Sequence, residues 1–151
     1  MSRRVTGIEE ICALGGADLG RTAWREVAQD RVDRFADATD DHQWIHTDPV
    51  RAADGPFGAA IAHGYLTLSL VIPMFNELLA IDGVTASVNY GLNRVRFPAP
   101  VKVGERIRLH AVVAEAEEVK GGAQLTLDFT VEIEDGPKPA CAAQAVYRYY
   151  A

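Results

Sequence analysis

With 151 residues, 48% of them hydrophobic and 24% charged, the chain has the length and balance of one ordinary globular domain, and residues 1–151 are read as a single unit. Its formal net charge of −6 excludes a general nucleic-acid or anionic-membrane binder, because both need a positive field. A small anionic ligand held by a few local Arg or Lys side chains stays open.

Cys12 and Cys141, the two cysteines, stand in no metal-like spacing and imply no disulfide framework, so a reducing cytoplasm is expected. The start, Met-Ser-Arg-Arg-Val-Thr-Gly followed by Glu9 and Glu10, lacks the apolar core of a signal peptide. Gln29 to Thr39 reads as a short helix, with Val32, Phe35 and Ala36 at helical spacing and Asp30, Arg31, Asp33 and Arg34 on the other face. The polar run Asp40 to Pro49 has no period and reads as an ordered loop; Asp54-Gly55-Pro56-Phe57-Gly58 carries turn chemistry. From His63 to Ala80 the chain is apolar on nearly every side, which predicts one buried helix, kinked at Pro73. The wider stretch Ala59–Leu79 contains His63, Pro73, Asn76 and Glu77 and fails as a membrane span.

Beyond Gly83 the period becomes two. Leu125, Leu127, Phe129, Val131 and Ile133 alternate with polar residues, Ile107, Leu109, Ala111 and Val113 give a matching face, and Ala143, Ala145, Tyr147 and Tyr149 give a third. Gly121-Gly122 and Asp135-Gly136-Pro137 sit where hairpin connections would fall. Val84–Tyr90 and Arg94–Phe97 read as two further strands. Half-buried antiparallel strands covering one apolar helix make an α+β domain.

Three of the four histidines, His42, His46 and His63, lie in or beside the loops before the long helix; His110 sits on the polar face of a strand and is expected to be exposed and without a role. Asp41 and His46 are five apart in a loop, so a carboxylate and an imidazole can converge on one water, a standard acid–base arrangement. The same spacing also suits Asp41 as a turn cap and His46 as a structural hydrogen-bonding residue. His63-Gly64-Tyr65 opens the helix, where free backbone N–H groups could polarise a carbonyl and Gly64 would let a ligand approach; Gly64 could equally just relieve crowding. His42 and His46 have the i, i+4 spacing of a helical metal pair, but Trp44, Thr47 and Pro49 disfavour a continuous helix and no Glu stands where a zinc-protease motif needs it. No metal site is expected.

The run Ala38 to Pro49, Ala-Thr-Asp-Asp-His-Gln-Trp-Ile-His-Thr-Asp-Pro, resembles the hydratase-2 motif of the MaoC-like dehydratases, the (R)-specific enoyl-CoA hydratases. Its Gln-Trp-Ile-His version is similar to the branch with nodulation protein N and the mycobacterial 3-hydroxyacyl-thioester dehydratases. Ile61 to Leu70 resembles that family's helix start, and Asn89 to Val101, followed by Gly104-Glu105, its next strand region. The three blocks span most of the chain in the family's order. The resemblance implies a hot-dog fold, a curved antiparallel sheet wrapped around a central helix. It implies reversible addition of water to C3 of a trans-2-enoyl thioester. Asp41 and His46 match the pair that holds and activates the water, and Gly64 the residue whose amide polarises the thioester carbonyl. His63, Tyr65, Gln43 and Asn89 are the expected substrate contacts. No cofactor is expected, because the thioester itself acidifies the C2 proton. The expected partners are an enoyl-CoA or 3-hydroxyacyl-CoA substrate and a second copy of the chain, as a homodimer with joined sheets.

The chain departs from the family in three places. Asp40 stands where Gly is commoner, which sets a second carboxylate beside Asp41; Asp tolerates a left-handed backbone better than most residues. Gln43 and Trp44 replace the commoner Asn and Pro. Trp44, Phe57, Tyr65 and Leu66 are candidates to shape an acyl tunnel, and Arg94, Arg96, Lys102 and Arg106 to meet CoA phosphates. A hot-dog thioesterase and a non-catalytic acyl-binding subunit are the alternatives; the Asp-x4-His loop argues against the first and the presence of both residues against the second.

Overall fold

The computed structural model describes residues 2–151. In chain order the elements are β1 (Arg3–Thr6), α1 (Gly7–Cys12), β2 (Asp18–Arg21), β3 (Arg25–Glu26), α2 (Gln29–Thr39), α3 (Trp44–Thr47), α4 (Pro49–Ala53), α5 (Gly64–Ser69), α6 (Val71–Leu78), β4 (Leu79–Asp82), β5 (Ala86–Arg96), β6 (Arg106–Val119), β7 (Gly122–Ile133) and β8 (Cys141–Tyr150). The main sheet runs β2-β6-β7-β8-β5, with β3 also on β6; β1 and β4 form a separate parallel pair.

Three of the four long strands, β6, β7 and β8, follow their period-two pattern. Ile107, Leu109, Ala111 and Val113 of β6, Leu125, Leu127, Phe129 and Val131 of β7, and Ala143, Ala145, Tyr147 and Tyr149 of β8 are all buried. They share one face because β6–β7 and β7–β8 pair antiparallel, with Leu109 opposite Val131 and Leu127 opposite Ala145. The outer face is a polar ladder in the same register: Arg108 Nε donates to Glu132 at 2.6 Å, and Gln144 donates to Asp128 at 2.9 Å. His110 belongs to this ladder, its Nε2 2.9 Å from the Asp18 carboxylate on β2.

Against the inner face lie α5 and α6. Val71, Met74, Phe75 and Leu78 turn inward at helical spacing. The Phe75 ring meets Phe129 at 5.5 Å and Tyr147 at 5.6 Å between centroids, tying helix to sheet; each such aromatic pair contributes about 0.5–1.5 kcal/mol beyond its buried area. The sheet wrapped on a helix is the hot-dog arrangement that the sequence resemblance implied.

The single helix expected over His63–Ala80 is instead two. The first ends at Ser69 and the second begins at Val71. Pro73 has no N–H to donate to the carbonyl of Ser69, so the ladder breaks there, a turn before the proline itself. Nor is the segment apolar on all sides: Tyr65 is 73% exposed and Ile72 38%. The two strands expected at Val84–Tyr90 and Arg94–Phe97 are one strand, β5, whose pairing with β8 shifts register at Asn89/Gly91 and Leu92/Arg94. The bulges blur the alternation, which is why the run read as two pieces. Part of the expected loop at 40–49 is helical (α3 and the start of α4), and the first half also supplies three short strands. Among the described residues no helix is long and apolar enough to cross a membrane.

Candidate active site

Asp41 stands just past the end of α2. The helix stops because Asp40 adopts a left-handed backbone (φ 59°), and the Asp41 amide folds back onto the Ala36 carbonyl at 3.2 Å. The Asp41 side chain stays half exposed.

His46 lies in α3, a single turn buried against the segment 60–62. The Ile61 amide donates to the Ile45 carbonyl at 2.9 Å, and His46 Nδ1 donates to the Ile61 carbonyl at 2.7 Å. Segment 60–62 is braced in turn by Ala62 N–H to Val101 O (2.8 Å) and Val103 N–H to Ala60 O (2.9 Å). From the other side the Gln29 amide group of α2 donates to the His46 carbonyl at 2.7 Å. A carbonyl can only accept, so Nδ1 carries the hydrogen and Nε2 keeps its lone pair. Burial lowers the His46 pKa below its ordinary value. The neighbouring His63 acts in the same sense, while the bond to Ile61 and the Asp41 charge oppose it.

His63 precedes α5 and is only 2% exposed. Its Nε2 donates to the Asp41 main-chain carbonyl at 3.0 Å, its ring stacks on that of His46 at 3.8 Å and 22°, and the Phe35 ring of α2 closes over it at 4.9 Å. One polar side-chain atom from each of Asp41, His46 and His63 lies within 4.8 Å of the other two. Gly64 follows directly, and as the first residue of α5 its amide has no intrahelical acceptor. A Cβ on Gly64 would meet the Phe97 ring at 3.2 Å, so the glycine also serves close packing there.

The three groups are poorly arranged for a metal ion held by both rings. The two imidazoles are stacked, with centroids 3.8 Å apart and planes 22° from parallel, and a histidine binds a metal in its ring plane at about 2.0–2.1 Å. No single point satisfies both rings. The helical pair His42–His46 does not form; His42 Nε2 meets the Asp37 carboxylate at 2.8 Å instead.

The other expected site residues are scattered. Gln43 caps α3 through its carbonyl, which accepts from the His46 amide at 3.0 Å. Tyr65 points outward. Asn89 lines a separate cavity of about 400 Å³ with Ile72, Phe75, Leu79, Tyr147 and Tyr149, beside α6 rather than the α5 start. Leu66 belongs to the core. Trp44 packs under Arg51 (4.3 Å), over Gly55, where a Cβ would sit 2.9 Å from its ring. Two residues that hold His46 carry no role in the sequence reading: Ile61 acts through its main chain, which leaves no side-chain signature, and Gln29 reaches a carbonyl seventeen residues away, which no local spacing marks.

The family model of the MaoC like domain matches residues 13–133. The 3-hydroxyacyl-thioester dehydratase Z of Mycobacterium tuberculosis (strain ATCC 25618 / H37Rv) is 45% identical over 150 residues, 99% of each chain. Nodulation protein N of Rhizobium leguminosarum bv. viciae is 48% identical over 132 residues, 85% of this chain and 81% of that protein. Among solved structures, the (R)-hydratase from A. caviae involved in PHA biosynthesis has a TM-score of 0.71 at 26% identity, covering 88% of this chain and 94% of that one. A family model that spans the loop, the helix start and three of the four long strands, with a relative aligned end to end, leaves one assignment: this chain belongs to the MaoC-like domain family.

Proposed function

We propose that the chain is a hydro-lyase that reversibly adds water across the C2=C3 bond of a trans-2-enoyl thioester to give the (R)-3-hydroxyacyl thioester. The observation that carries this reading is the cluster that brings one polar side-chain atom each of Asp41, His46 and His63 within 4.8 Å of one another, with the His46 Nδ1 hydrogen committed to Ile61 and Nε2 left as a lone pair. The end-to-end likeness to a 3-hydroxyacyl-thioester dehydratase supports it, and so does the likeness to an (R)-hydratase.

In this mechanism one water bridges Asp41 and His46. The pair takes a proton from it as the oxygen bonds to C3. The π electrons of C2=C3 move onto the thioester as an enolate, whose oxygen accepts a hydrogen bond from the Gly64 amide. The enolate collapses, and C2 takes a proton back from the pair. Dehydration runs the same steps in reverse. A neutral His46 with a bare Nε2 is the form that can accept the first proton. Gln43, Tyr65 and Asn89 are read as contacts along the rest of the substrate, a CoA-type or carrier-protein acyl thioester. The whole of 1–151 is taken as one such domain, working as a homodimer in the cytoplasm.

Loss of the enoyl absorbance of crotonyl-CoA tests the reading directly. The wild-type chain should turn it over, and Asp41→Asn and His46→Ala should each lower the rate by about 10² to 10⁴-fold. Asp40→Gly, which suits the left-handed φ, should stay active. Near-normal turnover in either site variant overturns the assignment of the pair. Release of free CoA without hydration would indicate a thioesterase, and wild-type inactivity across chain lengths a non-catalytic subunit.

A further inference from the structure

We propose that His63 is a positioning residue: one side chain that ties the main chain of Asp41 and the ring of His46 to the first residue of α5, and so sets where the acid–base pair stands relative to the Gly64 amide. This rests on the hydration reading above and deepens it. Three contacts carry it. The Nε2–H bond to the Asp41 carbonyl (3.0 Å) spans 22 residues of sequence. The face-on stack with His46 (3.8 Å) fixes the plane in which Nε2 of that ring can point. The peptide link to Gly64 is covalent.

Packing alone does not account for a histidine here. His63 Nδ1 is fully buried and has no hydrogen-bond partner among the described residues. Leaving such an atom unpaired is unfavourable, because its desolvation is not offset by a hydrogen bond, and a phenylalanine of similar shape would avoid that cost. What the imidazole offers over phenyl is the Nε2–H donor to Asp41. That bond is what the substitution removes from the Asp41 main chain, whose side chain is half exposed and whose amide is held by Ala36 at 3.2 Å; the next residue, His42, keeps its own contacts to Asp37 (2.8 Å) and to Thr47 Oγ1 (3.2 Å). The titratable groups facing His63 are Asp41 and His46, and α2 presents the Phe35 ring.

The test compares His63→Phe, His63→Gln and His63→Asn on crotonyl-CoA. Phe keeps a ring on His46 but has no donor. Gln carries an N–H at about the reach of Nε2, and Asn falls short of it. For Phe and Asn, kcat should fall about 10- to 100-fold, the scale of a misplacement near 1 Å, with KM within about threefold. Gln should recover much of the loss. Backbone ¹⁵N relaxation of residues 40–43 gives a readout that needs no turnover: mobility should rise in Phe and Asn and stay low in Gln. Should Phe fail to fold, the Asn–Gln comparison decides alone. Unchanged kcat in Phe or Asn, or equal loss in Asn and Gln, overturns the proposal. Wild-type inactivity would instead defeat the hydration reading, and the relaxation series would still judge the tether.

Discussion

In the proposed acid–base pair, the His46 imidazole sits where burial favours its neutral form. Burial is the main cause that lowers the His46 pKa from its ordinary 6.5. The unfolded chain therefore binds a proton at a higher pH than the folded one. The stability that His46 contributes is complete above about pH 6.5 and is lost as pH falls from there through the folded value. The base form also survives to lower pH than a free imidazole would. The acid limb of kcat/KM for crotonyl-CoA should accordingly fall below pH 6.5. Urea midpoints should drop between pH 7 and pH 5 in the wild type and drop less in His46→Gln. An acid limb above 6.5, or equal midpoint shifts in both proteins, would contradict this account of the site.

At the level of elements, the sheet depends on one glycine that the sequence marked only as part of a turn. β6 and β7 are joined through Lys120-Gly121, with Val119 paired to Gly122. A Cβ on Gly122 would stand 1.9 Å from the Tyr149 carbonyl oxygen of β8, and backbone cannot swing aside as a side chain would. Gly122→Ala should destabilise the fold by at least about 1–3 kcal/mol, the usual cost of overpacking, read as a fall in urea midpoint with little change in slope. An alanine at Gly121, whose φ is 80°, meets no close atom but pays for the left-handed backbone. Its cost should be the smaller, on the order of 1 kcal/mol. The same scale explains the split of the central helix, where Pro73 removes the bond to Ser69 and leaves the core face of α6 intact.

For the whole molecule, most of the large exposed apolar residues fall in two regions. Tyr65 and Ile72 lie on the outer side of α5 and α6, and Val88, Tyr90, Leu92 and Phe97 along and just beyond β5; Val50 of α4 and Phe57 of the loop after it lie outside them. β5 is the outer strand of the main sheet and has β8 on one side only. An open strand edge beside an uncovered apolar surface is the arrangement that a second copy would complete, by joining sheets about a two-fold axis. The chain is expected to sediment at twice its 16.4 kDa mass, and Val88→Lys with Leu92→Lys should shift it toward monomer. A fully active species of one chain mass at assay concentration would rule the dimer out.

The sequence by itself determined the inward faces of the regular elements and the family, but not where the central helix divides or where β5 runs on. Alternation in β6, β7 and β8 fixed which side chains face inward, because a strand's period leaves only two faces. The spacing of Val32 and Ala36 fixed the buried side of α2. The three motif blocks identified Asp41, His46 and Gly64 as the residues to watch. Only the tertiary structure decided how these meet. That His46 keeps a bare Nε2 depends on the carbonyl of Ile61, fifteen residues away and held by Val101. That His63 reaches Asp41 depends on the α5 start lying against the end of α2. Such contacts run through main-chain atoms and stacked rings, which every residue or many residues can supply. They leave no periodicity and no spacing to read, and they exist only when the sheet has brought the loops together.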